Sequence, residues 1–165
     1  MMHGAGWWEA VVGVACLLAA AVFLARALRG DRLGVPAQRW TALGHGGMAL
    51  AMCAMAAGGL VLSAVLATAS CLSTLAGRRR GEAGEHGAVV HSCLAACAMV
   101  AMPLVGGAHT GLGLAAVCLA LTGYFAVRGG RWLSALALRS PRARLEPVAH
   151  LVMSGAMATT FLTMI

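Results

Sequence analysis

The chain has 165 residues, of which 61% are hydrophobic and only 10% charged. A soluble domain carries roughly a quarter of its residues as charges, so this composition excludes an ordinary soluble enzyme and reads as an integral membrane protein. The net charge of +7 comes from arginines alone; they fall in clusters between apolar stretches instead of forming a basic face with polar or aromatic readers, which excludes a nucleic-acid partner.

The first apolar run covers residues 7–28. It has no basic residue before it, and Arg26 and Arg29 close it. That is the reverse of a secretory signal, so the run is expected to be a retained helix with its N-terminus outside. Residues 40–77 would make one helix of about 55 Å against a hydrocarbon core of about 30 Å. Two helices are expected instead, 40–57 and 60–76, broken at "AAGG". Helices over 86–104, 112–127 and 147–164 complete an all-α membrane bundle. It is expected to be a single polytopic domain, 1–165, with six transmembrane helices and both termini outside.

That threading puts every arginine on the cytoplasmic side of a bacterial plasma membrane, as the positive-inside bias demands. The clusters are Arg26, Arg29, Arg32 and Arg39; then Arg78, Arg79 and Arg80; then Arg128, Arg131, Arg139, Arg142 and Arg144. Trp7 and Trp8 fall at the outer interface, Trp40 and Trp132 at the inner one. The segment 128–147 is longer than a turn needs. Its Trp132, Leu133, Leu136 and flanking arginines suit a short helix lying on the cytoplasmic surface. Pro147 after Glu146 makes a good helix start, with the carboxylate near the positive end of the dipole.

The cysteines Cys16, Cys53, Cys71, Cys93, Cys97 and Cys118 all sit inside apolar stretches and form no CxxC. They are expected to be small packing residues in helices, since disulfides belong to oxidised loops. Arginine without lysine, with abundant Ala and Gly, points to a GC-rich bacterial genome.

Chemistry concentrates in a repeated pattern. His45, Met48, Met52 and Met55 step by three and four along the second helix, so they share one face. His150, Met153, Met157 and Met164 do the same on the last. On the fourth helix, His91 and Met102 share a face with Met99 beside them. All three helices run from inside to outside, so the histidines are expected at similar depth, with the methionines at successive outer levels. Pro103 cannot donate to the carbonyl of Met99, which opens or kinks the helix beside this layer. A shared His/Met cluster between these three helices is the expectation.

Neutral thioether is a soft ligand suited to Cu(I), and imidazole also serves copper. Ionisable residues within membrane helices are functional candidates by default, whereas methionine alone is a common gap-filler. The expected metal ligands are therefore His45, Met48, Met52, Met55, His91, Met99, Met102, His150, Met153 and Met157.

The same residues carry a resemblance. "RWTALGHGGMALAMCAM", "EHGAVVHSCLAACAM" and "HLVMSGAMATTF" resemble the actinobacterial membrane proteins grouped as domain of unknown function 5134, over nearly the whole chain. The resemblance implies a small polytopic membrane protein and brings no established activity. The copper reading therefore comes from ligand chemistry alone.

On this reading the chain is a small multi-pass protein whose intramembrane His/Met cluster binds or handles Cu(I). One rival is a b-type haem electron carrier, in which two histidines on facing helices hold the iron; His3 and His109 lie in the terminus and a loop, so a second haem is not expected. The other is a non-catalytic accessory or assembly subunit, whose many glycines allow close helix association as a homo-oligomer or within a membrane complex. No enzyme is expected, for HExxH, phosphate-loop and GxSxG motifs are missing. Glu9, Asp31, Glu82, Glu85 and Glu146 lie near helix ends or in loops, which leaves no buried carboxylate pair for catalysis or proton coupling.

Overall fold

Six α-helices and no strands make up the described chain: α1 (Ala5–Arg29), α2 (Arg39–Ala56), α3 (Leu60–Arg79), α4 (His86–Val105), α5 (Leu112–Leu138) and α6 (Leu145–Leu162). The computed structural model describes residues 5–29, 39–80, 86–105, 112–138 and 144–162, with the side chains of 5, 86–88, 102–105 and 112–114 outside that description. His3, Asp31, Arg32, Glu82, Glu85, His109, Arg139, Arg142 and Met164 lie outside the described residues. The helices group into two compact units, Met1–Val105 and Gly106–Ile165.

In the first unit, α2 packs against both α1 and α3. The apolar stretch over 40–77 is two helices because its glycines end the first one. Gly58 has φ +79, in the left-handed region where a Cβ is unfavourable. Its N–H donates to Met55 O at 2.9 Å, and the N–H of Gly59 donates to Ala54 O at 2.8 Å. This is the paired closure that satisfies the last carbonyls of a helix and reverses the chain. Any other residue at 58 would strain the αα-hairpin.

α3 presents one face to α2, made of Ser63, Ala67, Ser70, Thr74 and Gly77, all buried. Residues spaced by three and four stack on one side, and their small size lets the backbones approach. Ser70 Oγ donates to Leu66 O at 2.8 Å and Thr74 Oγ1 to Ser70 O at 2.9 Å. These two hydroxyls thus meet their own helix, whereas Ser63 Oγ is buried with no hydrogen-bond partner. Opposite them α2 places Gly44 and Gly47. α4 packs on α3, with the Thr74 and Ser92 hydroxyls in contact at 3.3 Å, and also touches α2. It runs on through Pro103 to Val105.

α1 lies antiparallel to α2. A Cβ on Gly13 would stand 3.8 Å from Ala56 Cβ at one end, and one on Gly46 would stand 3.2 Å from Leu24 at the other. This order brings Arg26 and Arg29, in the last turn of α1, to the end where α2 begins at Arg39. Arg78 and Arg79 finish α3 at that same end, and the Arg80 guanidinium lies 4.4 Å over the Trp40 ring. The described arginines of the first unit are therefore collected at one end of it.

The second unit is the antiparallel pair α5 and α6. Phe125 stacks on Phe161 with centroids 5.9 Å apart, a Cβ on Gly129 would stand 3.5 Å from Ser154 Cβ, and Trp132 stacks on His150. One expectation is corrected here. Residues 128–138 do not form a separate surface helix; they are the last turns of α5, a single helix of 27 residues. "RGG" reads locally as a break, since glycine costs about 1 kcal/mol in a helix. Gly129 instead admits α6, and Trp132 is turned onto that helix, so packing overrides propensity.

Two helices, Gly6–Arg29 and Leu60–Arg79, are long and apolar enough to cross a membrane. Both expose large aliphatic side chains on their outward faces, among them Val14, Leu17 and Leu18 on α1 and Val61, Leu62 and Val65 on α3.

Candidate functional site

The His and Met side chains that the spacing singles out are buried. His45, Met48 and Met52 on α2, His91 and Met99 on α4, and His150, Met153 and Met157 on α6 are all buried. Met55 is half-buried, and Met102 lies in α4 with its side chain outside the description. Methionine burial alone is ordinary packing. Buried imidazoles have to be accounted for by their partners.

His45 has the most informative surroundings. Its Nδ1 lies 2.8 Å from the carbonyl oxygen of Thr41, one turn back on α2. A carbonyl can only accept, so Nδ1 carries a proton and donates it. Fixing the tautomer through a backbone carbonyl is the arrangement that orients a metal-binding imidazole. The ring face is covered by Phe23 of α1, with centroids 5.3 Å apart and planes 27° from parallel. On α2 the stripe of His45, Met48, Met52 and Met55 runs between the face on α1, marked by Gly46, and the face on α3, marked by Gly44 and Gly47.

His91 begins the corresponding stripe of α4, within the first two turns of its helix like His45 and His150. Next to it, Ser92 joins the hydroxyl seam with Thr74. His91 and Met99 therefore belong to the same unit as His45, on a helix that touches α2. His150 belongs to the second unit. There it lies flat on Trp132, with centroids 4.2 Å apart and planes 5° from parallel, and Met153 and Met157 follow along α6.

Among the described residues, no three His, Cys, Asp or Glu side chains gather closely enough to hold a metal ion. Thioethers are ligands for soft ions, Cu(I) above all. The stripes offer thioether and imidazole donors, both of which serve copper.

Two residues with a part in this arrangement escape sequence reading. Phe23 and Trp132 each roof a buried histidine, from a different helix in each case. Nothing in the sequence assigns them to the histidines: Phe23 is marked only by rarity, in a chain with three Phe, and Trp132 reads as an interface aromatic. Phe23→Ala is expected to open a cavity beside His45 and destabilise the first unit by about 3 kcal/mol. A lowered thermal midpoint in detergent would register it, whereas Phe23→Leu should recover most of the loss.

No family model, curated protein or solved structure matches the chain.

Proposed function

We propose that the protein is a multi-pass bacterial membrane protein that binds or handles Cu(I) through the His/Met stripes of α2, α4 and α6. The observation that carries this reading is the Nδ1 contact of His45 with the Thr41 carbonyl at 2.8 Å. It orients a buried imidazole on a stripe whose next members, Met48 and Met52, are buried thioethers. All these ligands are neutral, so the empty site demands no buried charge, and a monovalent ion costs less to bury in lipid than a divalent one.

In this proposal all six helices span the bilayer, the arginine-bearing ends face the cytoplasm, and both termini lie outside. The gathering of Arg26, Arg29, Arg39, Arg78, Arg79 and Arg80 at one end of the first unit supports that orientation through the positive-inside bias. The proposal includes kinship with the family grouped as domain of unknown function 5134.

The test is the copper-to-protein ratio of the purified chain after copper-supplemented growth under reducing conditions. A ratio of about one or more is expected for soft-ligand binding, and a ratio near zero removes the reading. Replacing Met48, Met52, Met153 and Met157 with Leu approximately conserves side-chain volume. That variant should keep its helical circular dichroism and retain less than about half the copper, because the soft donors are gone. Unchanged retention would reduce the methionines to packing.

A further inference from the structure

The seam between α3 and α4 holds a group of sulfurs that the copper reading does not use. Cys71 Sγ of α3 lies 3.1 Å from Cys93 Sγ of α4. This is the only cysteine pair in sulfur contact among the described residues. Cys97 stands one turn beyond Cys93 and within electrostatic reach of Cys71. All six cysteines are free thiols. A disulfide has sulfurs about 2.05 Å apart, so closing this pair needs an approach of about 1 Å.

The surroundings of the pair are also specific. Nearby, the hydroxyls of Thr74 and Ser92 meet at 3.3 Å and tie the two helices together. Towards the outside the neighbours are apolar and exposed: Leu72 beside Cys71, Leu94 beside Cys93, and Cys97 itself. In the membrane reading, on which the choice of oxidant rests, that face meets lipid. An oxidant dissolved in the bilayer reaches it directly.

We propose that Cys71 and Cys93 form a redox site, oxidised by lipid-soluble hydroperoxides to a disulfide that staples α3 to α4. One sulfur attacks the terminal oxygen of the hydroperoxide. The O–O bond breaks, the thiol proton passes to the departing alkoxide to give the alcohol, and a sulfenic acid remains on the cysteine. The second sulfur then attacks the first, the S–S bond forms, and the sulfenic oxygen leaves as water with the remaining proton. Two thiols lose two electrons and two protons, and one hydroperoxide becomes one alcohol and one water. A dithiol reductant reverses the change by thiol–disulfide exchange. The staple fixes the seam beside His91 and Met99, which sit on other positions of α4.

The experiment uses the full chain in lipid nanodiscs with a copper chelator present, so that it reads independently of metal binding. Cumene hydroperoxide is added, and free thiols, intact mass and the disulfide-linked peptide are measured. The expected result is loss of two thiols and two hydrogens, with a Cys71–Cys93 linked peptide and recovery on adding dithiothreitol. C71S and C93S should each abolish that linked peptide, while C97S and C16S should retain it. With rates normalised to a soluble thiol, cumene hydroperoxide should outpace hydrogen peroxide by about tenfold, because access through lipid controls the reaction. A wild-type protein that keeps all its thiols, or a disulfide at another pair, overturns the redox site. Equal normalised rates overturn the lipid-borne oxidant. Carbonate extraction of cell membranes tests the membrane placement by itself, so the two failures are distinguishable.

Discussion

A variant carrying His45→Ala, His91→Ala and His150→Ala is expected to retain at least about tenfold less copper than wild type, while its helices stay formed. Loss of an imidazole removes the strongest neutral donor from each stripe, and disturbing even the supporting contacts of a metal site commonly costs 10–100-fold in affinity. The thioethers that remain are weak donors taken singly. Helix formation is not what these histidines supply, because alanine has the higher helix propensity and each site lies well inside its helix. Packing changes include loss of the ring contacts with Phe23 and Trp132 and of the buried His91 ring. Copper per protein and far-ultraviolet circular dichroism, measured on the same sample, separate the two effects. Full copper retention in the triple variant would leave the histidines without a metal role. A Soret band in the wild-type protein, lost in the variant, would assign them to haem instead.

The parts of the fold that were legible in the sequence are those governed by neighbours along the chain. Arginines after residue 28 and at 78–80 mark helix ends, and Gly58 with Gly59 marks the break between α2 and α3 because the chain reversal needs a positive φ there. The burial of His45, Met48 and Met52 follows from steps of three and four. What stayed hidden depends on which helix lies opposite. "RGG" at 128–130 looks like a stop until α6 is seen against Gly129. Trp132 looks like an interface anchor until His150 is found beneath it. Cys71 and Cys93 belong to no motif, and only the register of α3 on α4 brings their sulfurs together. Phe23 covers His45 for the same reason: the antiparallel register of α1 on α2 sets it there.

The close approach of α2 to α3 makes Gly44 the most sensitive position of the hairpin, and Gly44→Leu is expected to be more damaging than any other single glycine replacement considered. A Cβ there would overlap Thr74 Oγ1 and stand 3.0 Å from the backbone oxygen of Ser70. The hydroxyl cannot simply rotate away, since it already donates to that same oxygen at 2.9 Å and reaches Ser92. Nor can the backbone oxygen move without moving α3. Even alanine therefore forces the helices apart, and leucine adds three more carbons to the same gap. Overpacking of this kind costs about 1–3 kcal/mol, with leucine at the upper end or beyond. Gly47→Ala is a milder case: its Cβ would meet Ser70 Oγ at 2.5 Å, the tip of a side chain that can adopt another rotamer. At Gly155 a Cβ meets nothing within 4 Å, so alanine there should stabilise α6 by up to about 1 kcal/mol through propensity. Thermal midpoints in one detergent should therefore fall in the order Gly155→Ala, wild type, Gly47→Ala, Gly44→Ala, Gly44→Leu. If Gly44→Ala melts with Gly155→Ala, α2 and α3 are not as close as the hydroxyl seam requires. Because His45 adjoins Gly44 on the same turn, the copper ratio of Gly44→Ala should fall together with its midpoint, linking the packing of the hairpin to the orientation of the imidazole.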